Sequence, residues 1–186
     1  DQKKKIALVY NGIIENYDVL KEMLKKRGVS FTSATDSEVL VQLISELYFN
    51  SKEKLSFEDA VRAALQEVVG AYGIVVICED EPGKIIAARM GSPLVLGVGE
   101  GEFLIASDAS PIVEHTRNVI YLDDNELVVI KDEKFSISKI DSKKIVNKTL
   151  TKIDLTIEEI EKGKFPHFML KEIYDQKHSI SDTMRG

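Results

Sequence analysis

The sequence predicts an α+β fold in which helices cover the faces of antiparallel sheets. Apolar residues recur at helical spacing between residues 16 and 68. Short β-branched runs, separated by turns rich in glycine and proline, follow between residues 73 and 140. Helices followed by many short strands are typical of this class. The 186 residues suffice for one domain of ordinary size but not comfortably for two.

The chain opens with a predicted strand and a predicted helix. Residues Ile6–Tyr10 form an apolar stretch, as expected of a strand that is covered on both faces. Asn11 and Gly12 follow at the expected strand end. A helix should then begin near Asn16 and end before Gly28, a residue type suited to the position just after a helix.

Two further helices have recognisable start signals. Thr35 precedes Glu38 by three residues, which is the spacing of a capping box. In that arrangement each side chain accepts a hydrogen bond from the backbone N–H of the other residue. A broad apolar face then extends from Val39 to Tyr48. The third helix is expected to begin at Ser56.

The second half of the sequence predicts a series of antiparallel strands. They are expected at residues 74–78, 84–89, 94–98, 102–107, 119–122, 126–130 and 135–140, with a helical turn at 109–114. Glycines 97, 99 and 101 precede a strand and not a helix, so they predict a hairpin turn and not a phosphate-binding loop. Beyond residue 153 the chain becomes polar. A helix is expected at Phe168–Tyr174 and the start of another at Ile180–Met184.

Composition excludes several classes of function. The formal net charge of −6 disfavours general binding to nucleic acid or to an anionic membrane, so we predict neither partner. No apolar run approaches the roughly 20 residues that span a bilayer, and no signal-peptide segment is present. We therefore expect a cytoplasmic protein.

The histidines and the cysteine, which are common metal ligands and nucleophiles, form no metal-binding or catalytic pattern in this sequence. His115, His167 and His178 lie at no metal-binding spacing, so we expect no metal site. Cys78 is the only cysteine and sits in an apolar run, where a thiol usually acts as a small hydrophobic group. We predict no cofactor.

Two polar features each allow a structural and a functional interpretation. Asn11 and Gly12 could simply form a tight turn, although a helix and not a second strand follows them. Alternatively, a glycine N–H and an asparagine amide could stabilise a developing oxyanion. Asp36 could simply interact with the dipole of its helix, or its carboxylate could receive the ammonium group of a ligand.

A series of motifs, taken in order, resembles one enzyme family. The segment 11–16 reads Asn-Gly-Ile-Ile-Glu-Asn and is preceded by Ala-Leu-Val-Tyr. This chain resembles the N-terminal glutaminase domain of glutamine–fructose-6-phosphate aminotransferase (isomerizing), or glucosamine-6-phosphate synthase. The further matching segments span nearly the whole chain; they are Thr35–Val39, Gly70–Gly73, Gly91–Leu94, Ala106–Asp108 and Lys171–Gln176.

The resemblance implies a fold, an activity and a site. The fold would be that of an N-terminal-nucleophile (Ntn) hydrolase, an αββα sandwich of two antiparallel sheets between helical layers. Glutamine would be hydrolysed, and its ammonia would pass to a sugar isomerase domain of the same polypeptide, which would make glucosamine 6-phosphate from fructose 6-phosphate. Asn11 and Gly12 would form the oxyanion hole, and Asp36 would bind the glutamine ammonium.

The resemblance also implies boundaries and an assembly. The glutaminase domain would comprise residues 1–176, and residues 177–186 would begin the linker to the isomerase domain. The parent enzyme would be a homodimer.

One feature departs from the family pattern. The family nucleophile is a cysteine at the mature N-terminus, whereas residue 1 here is Asp and the sole cysteine is Cys78. We therefore expect this chain to be the domain without its first portion, truncated at the N-terminus and inactive alone.

Two other functions remain open. Another class II glutamine amidotransferase shares the Asn-Gly motif, although Gly91–Leu94 and Lys171–Gln176 argue against it. A non-catalytic regulatory or interaction module could also have kept the Ntn fold without the nucleophile.

Overall fold

The computed structural model describes residues 1–52, 54–153 and 165–183. The strands are β1 (Ile6–Ile14), β2 (Gly70–Cys78), β3 (Ile85–Met90), β4 (Val95–Val98), β5 (Phe103–Ala106), β6 (Asn118–Tyr121), β7 (Glu126–Lys131), β8 (Lys134–Lys139) and β9 (Thr151–Lys152). The helices are α1 (Tyr17–Lys26), α2 (Asp36–Phe49), α3 (Phe57–Gln66), α4 (Ser110–Val113) and α5 (Phe168–Thr183).

The strands form two sheets in which every neighbouring pair is antiparallel. The first sheet has the order β1-β2-β3-β7-β8 and the second has the order β5-β4-β6-β9. β1 pairs with β2 over its full length, from Ile6 opposite Cys78 to Ile14 opposite Gly70. The first strand of the chain therefore lies at an edge of the larger sheet.

The two sheets pack face to face between helices. Helices α1 to α3 cover one face of the first sheet and bury residues such as Leu24, Leu40 and Phe57 against it. On its other face, Val128 and Leu96 belong to a second apolar cluster that joins the two sheets. The short helix α4 packs on the outer face of the second sheet. The predicted α+β sandwich is confirmed. Its fourth layer is thin, since among the described residues the short helix α4 packs there.

The predicted helix starts are confirmed, with one difference in how they are capped. The hydroxyl of Thr35 accepts a hydrogen bond from the Glu38 N–H at 3.3 Å, which is half of the capping box. The Glu38 carboxylate does not return to Thr35; it accepts hydrogen bonds from the backbone N–H groups of Thr32 and Ser33. Partial burial alone would raise the pKa of Glu38, but hydrogen bonds from Ser33 and Thr32 outweigh it and lower the pKa to about 2. Glu38 thus fastens the preceding loop to the start of α2.

Two predicted boundaries were wrong. β1 does not end at Tyr10; it continues to Ile14, because β2 begins at Gly70 and supplies partners for four further residues. The expected pair of C-terminal helices is one helix, α5, as far as the described residue 183. No glycine or proline lies between 174 and 180 to break it. The polar segment 154–164 and the end of the second predicted C-terminal helix at 184 lie outside the described residues.

The other strand and turn predictions are confirmed to within a few residues. The segment 99–102 joins β4 to β5 as a hairpin, with the Gly99 N–H donating to the Glu102 carbonyl. The two-residue strand β9 is not predicted from the sequence. In the described part of the chain, no helix has the length and apolar character needed to cross a membrane.

Among the described residues, the free edge of β1 meets a carboxylate at each end and pairs with no strand between them. The Asp1 carboxylate accepts a hydrogen bond from the Ile6 N–H at 2.8 Å, and the Asp36 carboxylate accepts one from the Ile14 N–H at 3.0 Å. Because backbone groups alternate in direction along a strand, those of Leu8 and Tyr10 also point away from β2. The outward-facing side chain of Val9 is 73% exposed. An unpaired strand edge of this kind is a template for association.

We expect the chain to self-associate through β1, or to exchange the amide hydrogens of its N-terminal segment rapidly. Val9→Lys should reduce association, because a charge on an edge strand disfavours strand pairing. Val19→Lys is the matched control, since Val19 is 72% exposed on α1. Light scattering reports association and hydrogen exchange reports protection. A strict monomer with strongly protected amides from Ile6 to Tyr10 would contradict this expectation.

Candidate functional site

Asn11 and Gly12 lie inside β1 and not in a turn. Asn11 pairs with Gly73 and Gly12 pairs with Tyr72. The chain therefore does not reverse here, and the interpretation of this dipeptide as a hairpin turn was wrong. Asn11 is exposed, and the alternation of the strand places its side chain on the face opposite the helices.

Gly12 is held in a conformation and a space that require glycine. Its φ is +151°, a value that residues with a side chain rarely adopt. A Cβ added at Gly12 would collide with the carbonyl oxygen of Ala71 and would lie 2.8 Å from the Cα of Tyr72. Gly70 has a similar role nearby, since its φ is +142° and its added Cβ would collide with the Ile13 carbonyl oxygen. Two glycines therefore allow β1 and β2 to approach closely at this point.

Asp36, the first residue of α2, is fixed against the free edge of β1. Its Oδ2 accepts a hydrogen bond from the Tyr10 hydroxyl at 2.9 Å and another from the Ile14 N–H at 3.0 Å. No described residue donates a hydrogen bond to its Oδ1. One oxygen of this half-buried carboxylate is thus anchored on β1 by two donors.

The structure brings all three predicted site residues to one stretch of β1. Asn11 and Gly12 lie between Tyr10 and Ile14, the two residues whose donors hold Asp36. Burial and the hydrogen bond to Asp36 raise the pKa of the Tyr10 hydroxyl. Tyr10 therefore remains a protonated donor throughout the physiological pH range.

A groove of about 770 Å³ runs beside this edge. One wall is the start of β1, including Ile6 and Leu8, and the other includes the hydroxyl-bearing residues Ser33, Thr35 and Ser37. Asp36 lies between Thr35 and Ser37 in the sequence but is not one of the residues that line this groove. The groove is therefore adjacent to the predicted site residues and is not formed by them.

The other reactive side chains lie away from this site. Cys78 is only 4% exposed at the end of β2, and burial raises the pKa of its thiol. It pairs with Ile6, whereas Asn11 pairs with Gly73. The two positions are five residues apart along β2, which corresponds to about 17 Å. His115 and His167 are exposed, and the side chain of His178 lies outside the described residues. Among the described residues, no cluster of three potential metal ligands is present.

Comparison with known proteins identifies the family. A match to the glutamine amidotransferase domain covers residues 1–114, which include β1, helices α1 to α3, and Asp36 with its two donors. The chain belongs to the glutamine amidotransferase domain family. The resemblance found in the sequence is therefore confirmed at the level of the family.

Curated relatives align with nearly the whole chain at about half identity. The chain is 52% identical over 97% of its length to a glutamine–fructose-6-phosphate aminotransferase [isomerizing] of Chlorobaculum tepidum, of which it covers 29%. It is 49% identical over 98% of its length to the enzyme of the same name from Bacteroides thetaiotaomicron, of which it covers 30%. The chain thus spans less than a third of the length of the relatives it matches.

A solved structure supports the fold. The glutamine phosphoribosylpyrophosphate amidotransferase of B. subtilis, complexed with ADP and GMP, aligns with a TM-score of 0.64 and 26% identity. The alignment covers 76% of this chain and 30% of that one. The glutamine amidotransferase domain therefore has the expected Ntn-hydrolase fold of two antiparallel sheets with helices.

Sequence reasoning missed three residues that shape the site. From the sequence, Tyr10 is only the last residue of an apolar stretch, because nothing local indicates a partner 26 residues away. Gly70 was noted within a motif, but its contact with β1 depends on the strand register. Asn16 opens α1 as predicted, but its side chain does not cap the helix. It donates to the Glu67 carbonyl and accepts from the Val69 N–H, which holds the end of β1 to the start of β2.

We expect Gly12→Ala to destabilise the domain by roughly 2 to 4 kcal/mol, from backbone strain together with a clash against β2. Gly83→Ala is the matched control, because Gly83 also has a positive φ (+76°) but no atom lies within 4 Å of its added Cβ. Chemical denaturation of both variants measures the difference. Equal destabilisation would show that the close approach at Gly12 contributes nothing.

We expect Cys78 to take no part in catalysis, because a buried thiol with a raised pKa supplies little of the thiolate that attacks carbonyl groups. The purified chain of 186 residues should not hydrolyse glutamine above background. Glutamate release by the wild-type chain and by Cys78→Ala is the measurement. Turnover that disappears in Cys78→Ala would overturn this expectation.

Proposed function

We propose that this chain is the glutaminase domain of an enzyme that uses glutamine and fructose 6-phosphate to make glucosamine 6-phosphate. The proposal is supported by the relatives, whose printed name is glutamine–fructose-6-phosphate aminotransferase [isomerizing] and which match nearly the whole chain. On this proposal, the sugar chemistry belongs to an isomerase domain of the same polypeptide.

The observation that carries the proposal is the hydrogen bonding of the Asp36 carboxylate. Its Oδ2 is held by the Tyr10 hydroxyl and the Ile14 N–H, and its Oδ1 has no described donor. A glutamine α-ammonium at Oδ1 would form a charge-assisted hydrogen bond, which is stronger than a hydrogen bond between neutral groups. A carboxylate that served only the helix dipole would not need two donors from a neighbouring strand.

Asn11 and Gly12 are suited to the other end of the substrate. When a nucleophile attacks the glutamine amide, the carbonyl oxygen acquires negative charge. The exposed Asn11 amide could donate a hydrogen bond to that oxygen, and a glycine backbone allows a reacting group to come close. The close packing of Gly12 against β2 would hold these donors rigidly, as oxyanion stabilisation requires.

The chemistry then needs a nucleophile, and we assign none within this sequence. Attack on the amide carbon breaks its bond to nitrogen and releases ammonia, and water afterwards completes the hydrolysis to glutamate. In the family that the sequence resembles, the attacking group is an N-terminal cysteine. Cys78 does not fit that role, since it is buried and lies about 17 Å along the sheet from Asn11.

Three finer statements remain part of this proposal. The glutaminase domain comprises residues 1–176, and residues 177–186 begin the linker, with α5 running from one into the other. The parent protein is a homodimer. Its location is the cytoplasm.

The test uses the complete polypeptide that carries this domain. We expect Asn11→Ala to lower the glutamine-dependent kcat by roughly a hundred- to a thousandfold with a modest change in KM, because the oxyanion exists only as the reaction proceeds. Asp36→Ala should raise the KM for glutamine strongly, because its contact with the ammonium is made in the ground state. Both variants should keep any synthesis that free ammonia supports.

The chain offers matched controls for both substitutions. Asp18→Ala removes an exposed carboxylate from the first turn of α1, and Asn118→Ala removes an exposed amide from β6. Neither control should change glutamine kinetics. Near-wild-type kinetics for Asn11→Ala and Asp36→Ala, with a loss of only about 1 kcal/mol in stability, would leave these residues with a structural role alone and would remove the proposed site.

A further inference from the structure

We propose that Tyr10 is a positioning residue, which orients the Asp36 carboxylate toward the ammonium group of the substrate. The inference rests on the proposed function, because it assumes that Asp36 receives that ammonium. The inference adds Tyr10 to the proposed site, through the contact of its hydroxyl on β1 with Asp36 at the start of α2.

The position of Tyr10 on β1 makes this contact possible. In an extended strand, residues 10 and 14 lie about 13 Å apart. Asp36 Oδ2 nevertheless contacts both the Tyr10 hydroxyl and the Ile14 N–H. A tyrosine side chain can meet this condition only if it leans along the strand toward residue 12. Gly12 has no side chain to oppose that path.

Two donors define the direction of the carboxylate where one would not. With Oδ2 held only by the Ile14 N–H, the carboxylate could still rotate around that single hydrogen bond. The second donor, the Tyr10 hydroxyl, removes this freedom and fixes the direction in which Oδ1 points. The side chain is therefore oriented before a ligand arrives, and binding costs less conformational entropy.

The same contact couples the two ends of the site. Tyr10 precedes Asn11 and Gly12, and Ile14 follows them. The two residues that hold the Asp36 carboxylate therefore lie on either side of the proposed oxyanion donors. A shift of α2 relative to β1 would strain both hydrogen bonds at once. Tyr10 thereby maintains the distance between the ammonium acceptor and the oxyanion donors.

The test is Tyr10→Phe in the complete polypeptide, which removes the hydroxyl and keeps the ring. We expect the KM for glutamine to rise roughly five- to tenfold and kcat to stay within about twofold. The rise is smaller than the direct loss of a hydrogen bond to a charged ligand would give, because Tyr10 acts through Asp36. Tyr48→Phe is the matched control. Tyr48 is also partly buried, and it lies on the same helix, 12 residues or about 18 Å beyond Asp36. It should leave KM unchanged.

A double-mutant cycle separates positioning from a general effect on packing. In an Asp36→Ala background, Tyr10→Phe should not change KM further, because the carboxylate it orients is gone. Asp36→Glu provides a second variant, since it keeps the charge but displaces the carboxylate from its two donors. It should also raise KM. Thermal unfolding of each variant confirms that the protein is folded.

The outcomes distinguish this inference from the proposed function. If Asp36→Ala leaves the KM for glutamine unchanged, the proposed role of Asp36 fails, and this inference fails with it. If Asp36→Ala raises KM but Tyr10→Phe does not, only the positioning role of Tyr10 is overturned. An equal effect of Tyr10→Phe with and without the Asp36 carboxylate would overturn it as well.

Discussion

The close antiparallel pairing of β1 with β2 is the constraint on which the rest of the site depends. Gly12 and Gly70 let the two backbones approach more closely than residues with side chains would allow. The register they share places Asn11 on the exposed face and directs the Ile14 N–H to the free edge. Helix α2 can then deliver Asp36 to that edge. A shift of one residue would exchange the two faces of β1 and separate these groups.

The helices and most strands could be predicted because their signals are local. Thr35 and Ser56 are N-cap residues in the sequence and in the structure, each accepting a hydrogen bond from the N–H three residues on. The β-branched run that ends at Cys78 is a central strand, as its composition indicates. Residues 174–180 show the limit of such local signals. This polar stretch suggested a break between two helices, but it contains no glycine or proline and the helix continues through it.

The site could be predicted only in part, because its geometry arises from contacts between distant residues. The residues themselves mark Asn11, Gly12 and Asp36 as candidates, but only the resemblance to a family favours their functional interpretation over an ordinary structural one. Tyr10 carries no local signal of its hydrogen bond to Asp36. The extension of β1 to Ile14 depends on where β2 begins, and a pattern of residues 6–14 alone does not contain that information.

The separation of β1 and β2 along the chain has a consequence for the order of assembly. Residues 15–69, which include three helices, lie between the two strands. Contacts between distant residues form slowly, because the entropy of closing the intervening loop must be lost first. During synthesis on the ribosome, β1 therefore emerges long before its strand partner, and the helices that cover one of its faces appear in the interval. Until residues 70–78 follow, that nascent strand depends on α1 to α3, or on a chaperone, for shelter from water and from neighbouring chains.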